Sequence, residues 1–478
     1  MKYLIWPISL FIFEYINIQF PIYYGNRIQL YLYIFFILLA LIQLRGEFPK
    51  SFINKRVVVF ISIILVVQFI AMVLSYYRID VSGFNKHPIK TYISFLGFVC
   101  SILVHYFVVR LNINDLNDVN KFLKGGWIAL ILSLIVCLIQ LCYLFLPSLF
   151  EPLVRLIGDT VEARWGGQQA NDNPSSFYML GSYVQTTFRI NGLTEEASNL
   201  ATQFFVIFIP FILASIKNKF NIFNEQREKI FPLYIILVII LFLFVMAKTT
   251  AGFLFGAVIL LFVMRDMNKI QRVLVILCAI VVCSFIFQYN FRSEYLSETI
   301  NNFLLNKNET SVSNRSGTTL ALLIITVKNF LTGIGWEYHS YYIFEYLPDW
   351  SRYNQEYYDF IERKEFPIMS VLLGWTAEFG IVIVGLIALY LINTQKKFRK
   401  LSNQAIDLNH KEAQFIKVLC DSSQYYLIFT LISSAFLYVW YASIYLIVYF
   451  FFVSIIYVIS NKLTNNASER FEGLHEKN

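Results

Sequence analysis

Residues 188–204, FRINGLTEEASNLATQF, bring an arginine, a glycine turn, two glutamates and a serine to the start of an apolar stretch. Arg189 lies nine residues before Ser198, with Glu195 and Glu196 between them. A guanidinium offers a planar fork that grips phosphate or carboxylate through two parallel bonds. Carboxylates at a helix entrance are favoured by the dipole and cap open amides, or they accept a proton in a reaction. Capping accounts for Glu195 and Glu196 but leaves Arg189 and the Asn191-Gly192 turn unexplained. Handling of an anionic group at a membrane surface accounts for all of them.

Further along the chain, Lys248 interrupts two apolar runs in VMAKTTAGFLF. A lysine at that depth either snorkels to the headgroups or faces an inner cavity, where it adds a second cation. Ser313 and Asn314 fit as N-caps for the apolar stretch 318–327, which is too short to span and reads as an interfacial or re-entrant helix. Arg315 then falls in its first turn, where the dipole disfavours a cation unless an anion binds there. Headgroup contact is the plainer alternative. His339 follows the Gly333 and Gly335 turn in GIGWEYHSYY, and histidine is a natural general base near neutral pH. Glu378 lies inside an apolar stretch, GWTAEFGIVIVG, so it needs a proton or a partner, with one of the arginines expected to serve. Glu14 reads as a structural polar residue.

The elements that position these residues are membrane helices. Of 478 positions 57% are apolar and 15% charged, and the apolar runs reach the roughly 20 residues a spanning helix requires. They fall at about 3–20, 28–44, 57–76, 91–110, 126–146, 198–215, 231–247, 250–264, 272–289, 367–392, 421–438 and 441–459. The predicted fold is therefore all-α, a single polytopic domain over 1–478 with about twelve spans. Two large outer loops run over 147–197 and 290–366. Alternating strands of a β-barrel are absent. Basic residues such as Arg45, Lys50, Lys55, Arg56, Lys396, Lys397, Arg399 and Lys400 concentrate in turns that would all lie inside if both termini are cytoplasmic. The net charge of +8 thus reflects topology, and its dispersal argues against nucleic acid as a partner. The six cysteines lie in or beside apolar runs, so no disulfide framework or zinc site is expected. Phenylalanine and tyrosine are abundant, which fits lipid-facing and interfacial roles. Neither loop carries an Asp-x-Asp pair, a phosphate loop or a His-Glu-x-x-His helix, so any anion handled here falls to arginine and lysine.

Taken in order, these motifs resemble the O-antigen and capsular-polysaccharide polymerases of the Wzy type, which are related to the O-antigen ligases. The family pattern Arg-x-x-Gly-Leu followed by Glu-Pro-Ser is matched by Arg189, Gly192, Leu193, Glu196 and Ser198, with Ala197 in place of proline. The threonine and glycine step at 249–252, Arg315 before a short apolar stretch, the Gly333-x-Gly335 turn and Glu378-x-Gly380 are similar as well. Arg155 with Gly166 and Arg363 with Gly374 repeat an arginine–glycine spacing seen in some polymerases. Ligases carry a His-Asn pair shortly before the Glu-x-Gly span, and the corresponding positions here are near Met369 and Ser370. That departure favours a polymerase.

The resemblance implies a metal-independent, inverting glycosyltransferase without a cofactor, set in a bacterial cytoplasmic membrane with its site on the outer side. Its substrate would be a polyprenyl-diphosphate-linked oligosaccharide. Membrane lipids, a chain-length regulator and a flippase would be its partners. Arg189 and Arg315 would clamp the diphosphate with help from Lys248, Glu195 and Glu378 would line the substrate site, and Glu196 or His339 would take the acceptor proton. A ligase moving glycan to a lipid A core and a transporter of the lipid-linked unit are the two alternatives.

Overall fold

The computed structural model of the protein describes residues 2–12, 15–16, 25–44, 55–81, 83–164, 177–224, 227–265, 269, 272, 309–408, 412–435 and 443–475. Glu14, Gly166, the loop stretches 166–176 and 290–308, and all but the first residue of the expected span over 272–289 lie outside these residues. Among the described residues the secondary structure is helical, with no strand. A short N-terminal helical segment precedes α1 (Gly25–Gln43), α2 (Lys55–Arg78), α3 (Pro88–Asn112), α4 (Leu116–Phe145) and α5 (Pro147–Thr160). Then follow α6 (Ala197–Lys217), α7 (Phe231–Met246), α8 (Thr250–Arg265), α9 (Glu309–Lys328) and α10 (His339–Tyr346). The chain continues through α11 (Gln355–Arg363), α12 (Val371–Asp407), α13 (Ala413–Ser434) and α14 (Ser443–His475).

Six described helices are long and apolar enough to cross a bilayer: α2, α3, α4, α6, α12 and the Ile444–Leu463 part of α14. Apolar stretches of α1, α7 and α8 are shorter. This is an all-α multi-pass membrane fold. At 1.5 Å per residue, the 16 residues of α7 and of α8 each reach roughly 24 Å, a little short of the hydrocarbon core.

Burial sorts the helices into a centre and a rim. In the apolar window of α6, 94% of residues are buried, against 17% in α2. Val59, Val66 and Leu74 of α2 are exposed, which suits a surface solvated by lipid and would be anomalous in water. The centre is aromatic. Phe205 of α6 stacks on Phe255 of α8 at 4.2 Å and on Phe429 of α13 at 4.3 Å, while Phe211 stacks on Phe452 of α14. Much of the phenylalanine therefore fills the interior, a use that composition alone assigns to the lipid face. Inside α6 the backbone widens to a π-helical turn over Phe204–Phe208, just before Pro210. Proline has no amide to return to the preceding turn, and a local widening is a common accommodation.

A second hydrophobic core gathers α2, the start of α3, α9, α10, α11 and the first part of α12 around Tyr338, Tyr342, Phe366 and Phe379. The larger core holds α4, α6, α7, α8, α13, α14 and the later part of α12. One candidate cluster sits by each.

Candidate functional site

The turn carrying Arg189 is built from the inside by polar side chains that carry no chemistry of their own. Gly192 adopts a positive φ of 61°, a conformation that favours glycine, and a Cβ there would lie 2.7 Å from Leu200 Cδ1. Gln140 of α4 clamps this turn: its Oε1 accepts from the Gly192 amide at 2.7 Å, and its Nε2 donates to the Gly192 carbonyl and to Asn191 Oδ1, each at 3.0 Å. Asn191 in turn donates to Glu162 Oε1 at 2.9 Å and to the Thr194 carbonyl at 2.6 Å. Glu162, wholly buried, also accepts from Ser182 Oγ at 2.5 Å and from the Tyr183 amide at 2.8 Å. Burial pushes its carboxyl up to about 7, against the opposing pull of these three bonds and of Arg164.

On this scaffold Arg189 is half-buried, its guanidinium 6.0 Å from the centre of the Tyr183 ring. Its Nε donates to the Ala247 carbonyl at 3.2 Å, which ties it to the residue before Lys248. Lys248 is buried at 7% exposure and adopts a left-handed φ of 51° at the tip of the hairpin formed by α7 and α8. Thr249 Oγ1 accepts from the Gly252 amide at 2.9 Å and so caps α8. Ala197, the first residue of α6, packs with Ala247, Tyr178 and Tyr183. The N-termini of α6 and α8 thus lie side by side, and the Phe205–Phe255 stack shows that the two helices continue alongside each other.

Two helix N-termini, a guanidinium and a buried ammonium make this patch strongly attractive to an anion. Glu195 and Glu196 balance it. Glu195 Oε2 accepts from Asn199 at 3.0 Å, and Glu196 takes the Ser198 hydroxyl. Burial first, and the adjacent Glu196 charge after it, push the Glu195 carboxyl upward. Glu196 is the N-cap of α6 by position, but its side chain makes no capping bond, so the capping expectation does not explain it.

The second cluster forms where α12 breaks. Gly380 has φ 78° and ψ 158°, a conformation open essentially to glycine alone. The carbonyls and amide freed by the break find partners in the 330–335 segment. The Ile334 and Gly335 amides donate to the Ala377 and Glu378 carbonyls at 2.9 and 3.0 Å, and the Ile381 amide to the Phe330 carbonyl at 2.9 Å. Gly333 and Gly380 face each other so closely that a Cβ on either would run into the other's backbone segment. Gln68 of α2, fully buried, accepts from the Trp336 amide and donates to the Glu378 carbonyl. Interrupted helices at membrane depth persist only when neighbouring protein satisfies them in this way.

Glu378 is 2% exposed, and its Oε1 accepts from the Glu337 amide at 3.0 Å and pairs with His339 Nδ1 at 2.7 Å. The partner expected from sequence was an arginine. The structure supplies the histidine instead, because the glycine turn folds residue 339 back over the break. A carboxylate on Nδ1 fixes the ring and leaves Nε2 for other work.

Arg315 requires a correction. Helix α9 already includes Glu309, so residue 315 lies in its second turn or later and not the first. The apolar stretch 318–327 is one half of a 20-residue helix. Asn314 does not cap it but reaches across to Asn354 at 3.0 Å and to Glu356 at 2.7 Å. Arg315 is exposed. Arg155 and Arg363 are exposed too.

Hydrogen bonds therefore join Arg189 to the Lys248 segment, beside Glu195 and Glu196, and join His339 to Glu378. Gln68, Gln140 and Glu162 are the supporting residues that sequence reading passed over. An isolated amide inside an apolar run was the available signal for the two glutamines. No protein-family model matches this chain, and no curated protein matches it in sequence.

Proposed function

We propose that this protein polymerises oligosaccharide repeat units carried on a polyprenyl diphosphate. Its twelve spans sit in a bacterial cytoplasmic membrane with both clusters on the outer side. The observation that carries this reading is the patch of Arg189 and Lys248 between the N-termini of α6 and α8. A diphosphate leaving group needs preorganised positive charge where water is excluded, and a fork, a point charge and two helix ends supply it.

In the step itself the acceptor hydroxyl oxygen attacks the anomeric carbon of the donor glycan. The bond from that carbon to the diphosphate oxygen breaks, the configuration inverts, and the lipid diphosphate leaves with the bonding pair. The hydroxyl proton passes to His339 Nε2, with Glu378 stabilising the imidazolium through Nδ1. Glu196 is the competing base. Arg315 contributes an outer cation that meets the substrate before the clamp does.

The test is purified protein in detergent with lipid-diphosphate-linked repeat units. A ladder of longer lipid-linked products is expected, lost in Arg189→Ala and poorly restored by Arg189→Lys, which lacks the fork. Transfer only to a lipid A core acceptor would make it a ligase. Movement of the lipid-linked unit across vesicles with no new glycosidic bond would make it a transporter.

A further inference from the structure

Among the described residues of 147–187, the part of the first outer loop that precedes Arg189, Glu162 is a wholly buried carboxylate with no role in the proposed step, yet it is bonded to the turn that presents Arg189. We infer that Glu162 is a positioning residue for the anion clamp, acting through Asn191, and that it does so as a hydrogen-bond hub whose charge is dispensable. The inference rests on the clamp reading of Arg189 given above.

The geometry is specific about which atoms matter. Oε1 serves two donors, the Tyr183 amide at 2.8 Å and Asn191 Nδ2 at 2.9 Å, while Oε2 serves the Ser182 hydroxyl at 2.5 Å. Tyr183 carries the ring beneath the Arg189 guanidinium, and its hydroxyl meets the Ala197 amide at the head of α6. Asn191 passes the constraint on, because its Oδ1 is held by Gln140, which also brackets both backbone groups of Gly192. A further bond from the Ala163 amide to the Leu193 carbonyl at 3.0 Å fastens the two strands of chain together. One carboxylate therefore fixes the turn on one side of Arg189 and the ring on the other.

Glutamine can reproduce this hub. Its Oε1 keeps both donors, and its Nε2 donates to Ser182 Oγ, whose hydroxyl rotates to accept. Alanine cannot, and it leaves Asn191 Nδ2 and the Tyr183 amide short of an acceptor in a dry interior, an arrangement that proteins avoid. A displacement of about 1 Å at Arg189 is enough to cost on the order of 100-fold in rate.

The experiment has two readouts on the full-length protein. Hydrogen exchange followed by mass spectrometry reports the 188–196 peptide directly, with the peptides of α9 and α12 as internal reference. Glu162→Ala should speed exchange in 188–196 by tenfold or more and leave the reference unchanged, while Glu162→Gln should match the parent. Turnover of lipid-linked repeats should then fall 10- to 100-fold in kcat for Glu162→Ala, with KM changed less than threefold, and Glu162→Gln should retain at least half. Unaltered exchange in Glu162→Ala, or loss of both readouts in Glu162→Gln, overturns the positioning role. If exchange responds as expected while turnover does not, the positioning stands and the clamp reading of Arg189 fails. Should Glu162→Ala not fold, Asn191→Asp provides the same test by setting a second carboxylate against the hub.

Discussion

The Arg189 patch and the Glu378 cluster solve opposite electrostatic problems with the same device. In the first, positive groups are collected where two helices begin; in the second, a carboxylate is sunk at the point where one helix stops and restarts. Each relies on a glycine-dependent turn, and each turn is held by a glutamine projecting from a neighbouring apolar helix, Gln140 for one and Gln68 for the other. The difference lies in what the turn offers outward. Around Arg189 the backbone supplies partial positive charge and the side chains amplify it. Around Glu378 the backbone donors are consumed internally, so what reaches the surface is an oriented imidazole. One region is suited to receiving an anion, the other to moving a proton.

That contrast can be broken most severely at Gly380. Gly380→Ala places a Cβ against the 331–333 backbone in a conformation that alanine avoids, so a loss of more than about 3 kcal/mol is expected. Recovery of folded protein in detergent, measured by size-exclusion chromatography, should collapse; normal recovery would mean that the break is not the anchor of the cluster. Next in size, Arg189→Ala should reduce product formation by about 1,000-fold through kcat, the range seen when a transition-state charge donor is removed. Glu378→Gln keeps the shape of the second cluster but not its charge. Its kcat should fall by about 100-fold, because the imidazolium formed as the proton arrives loses the carboxylate that holds and stabilises it. An unchanged kcat would hand the role of base to Glu196. Arg315→Ala, on the exposed face of α9, should raise KM about tenfold and leave kcat nearly untouched, the pattern of a group that binds without following the reaction.

A further check concerns pH. Glu162 titrates near 7 in the folded protein because burial raises it from an ordinary value of 4.5. A carboxyl raised on folding lends stability that is full below the ordinary value and fades as pH climbs through the folded one. The parent should thus lose thermal stability relative to Glu162→Gln between about pH 4.5 and 7, by up to about 3 kcal/mol. Parallel melting curves across that interval would show that the carboxyl ionises as it would in water.

Much of this was legible beforehand in particular residues. The Asn191-Gly192 pair marked the turn before α6, and Gly333 and Gly335 marked a turn with positive φ, whereas Gly380 stood out only through the Glu-x-Gly resemblance. Local chemistry of that sort is written in neighbouring letters. Pairings across the fold were not: Glu378 meets His339 39 residues away, and Asn191 meets Gln140 51 residues away. These depend on how helices pack, which apolar composition scarcely specifies. The misplacement of Arg315 has a different cause. Polar residues at the start of α9 look like caps, but Asn314 had tertiary partners in Asn354 and Glu356, and tertiary bonds outrank local propensity.

The facing glycines at 333 and 380 have a mechanical consequence. Swinging the histidine-bearing loop alone would strip bonds from the Ala377 and Glu378 carbonyls and from the Ile381 amide within apolar surroundings, so loop and half-helix must travel as one rigid block. Under the proposed function, a visiting sugar would meet an unyielding wall there. Adaptation would then fall to the guest, and conformers unable to mould themselves to that wall would be turned away.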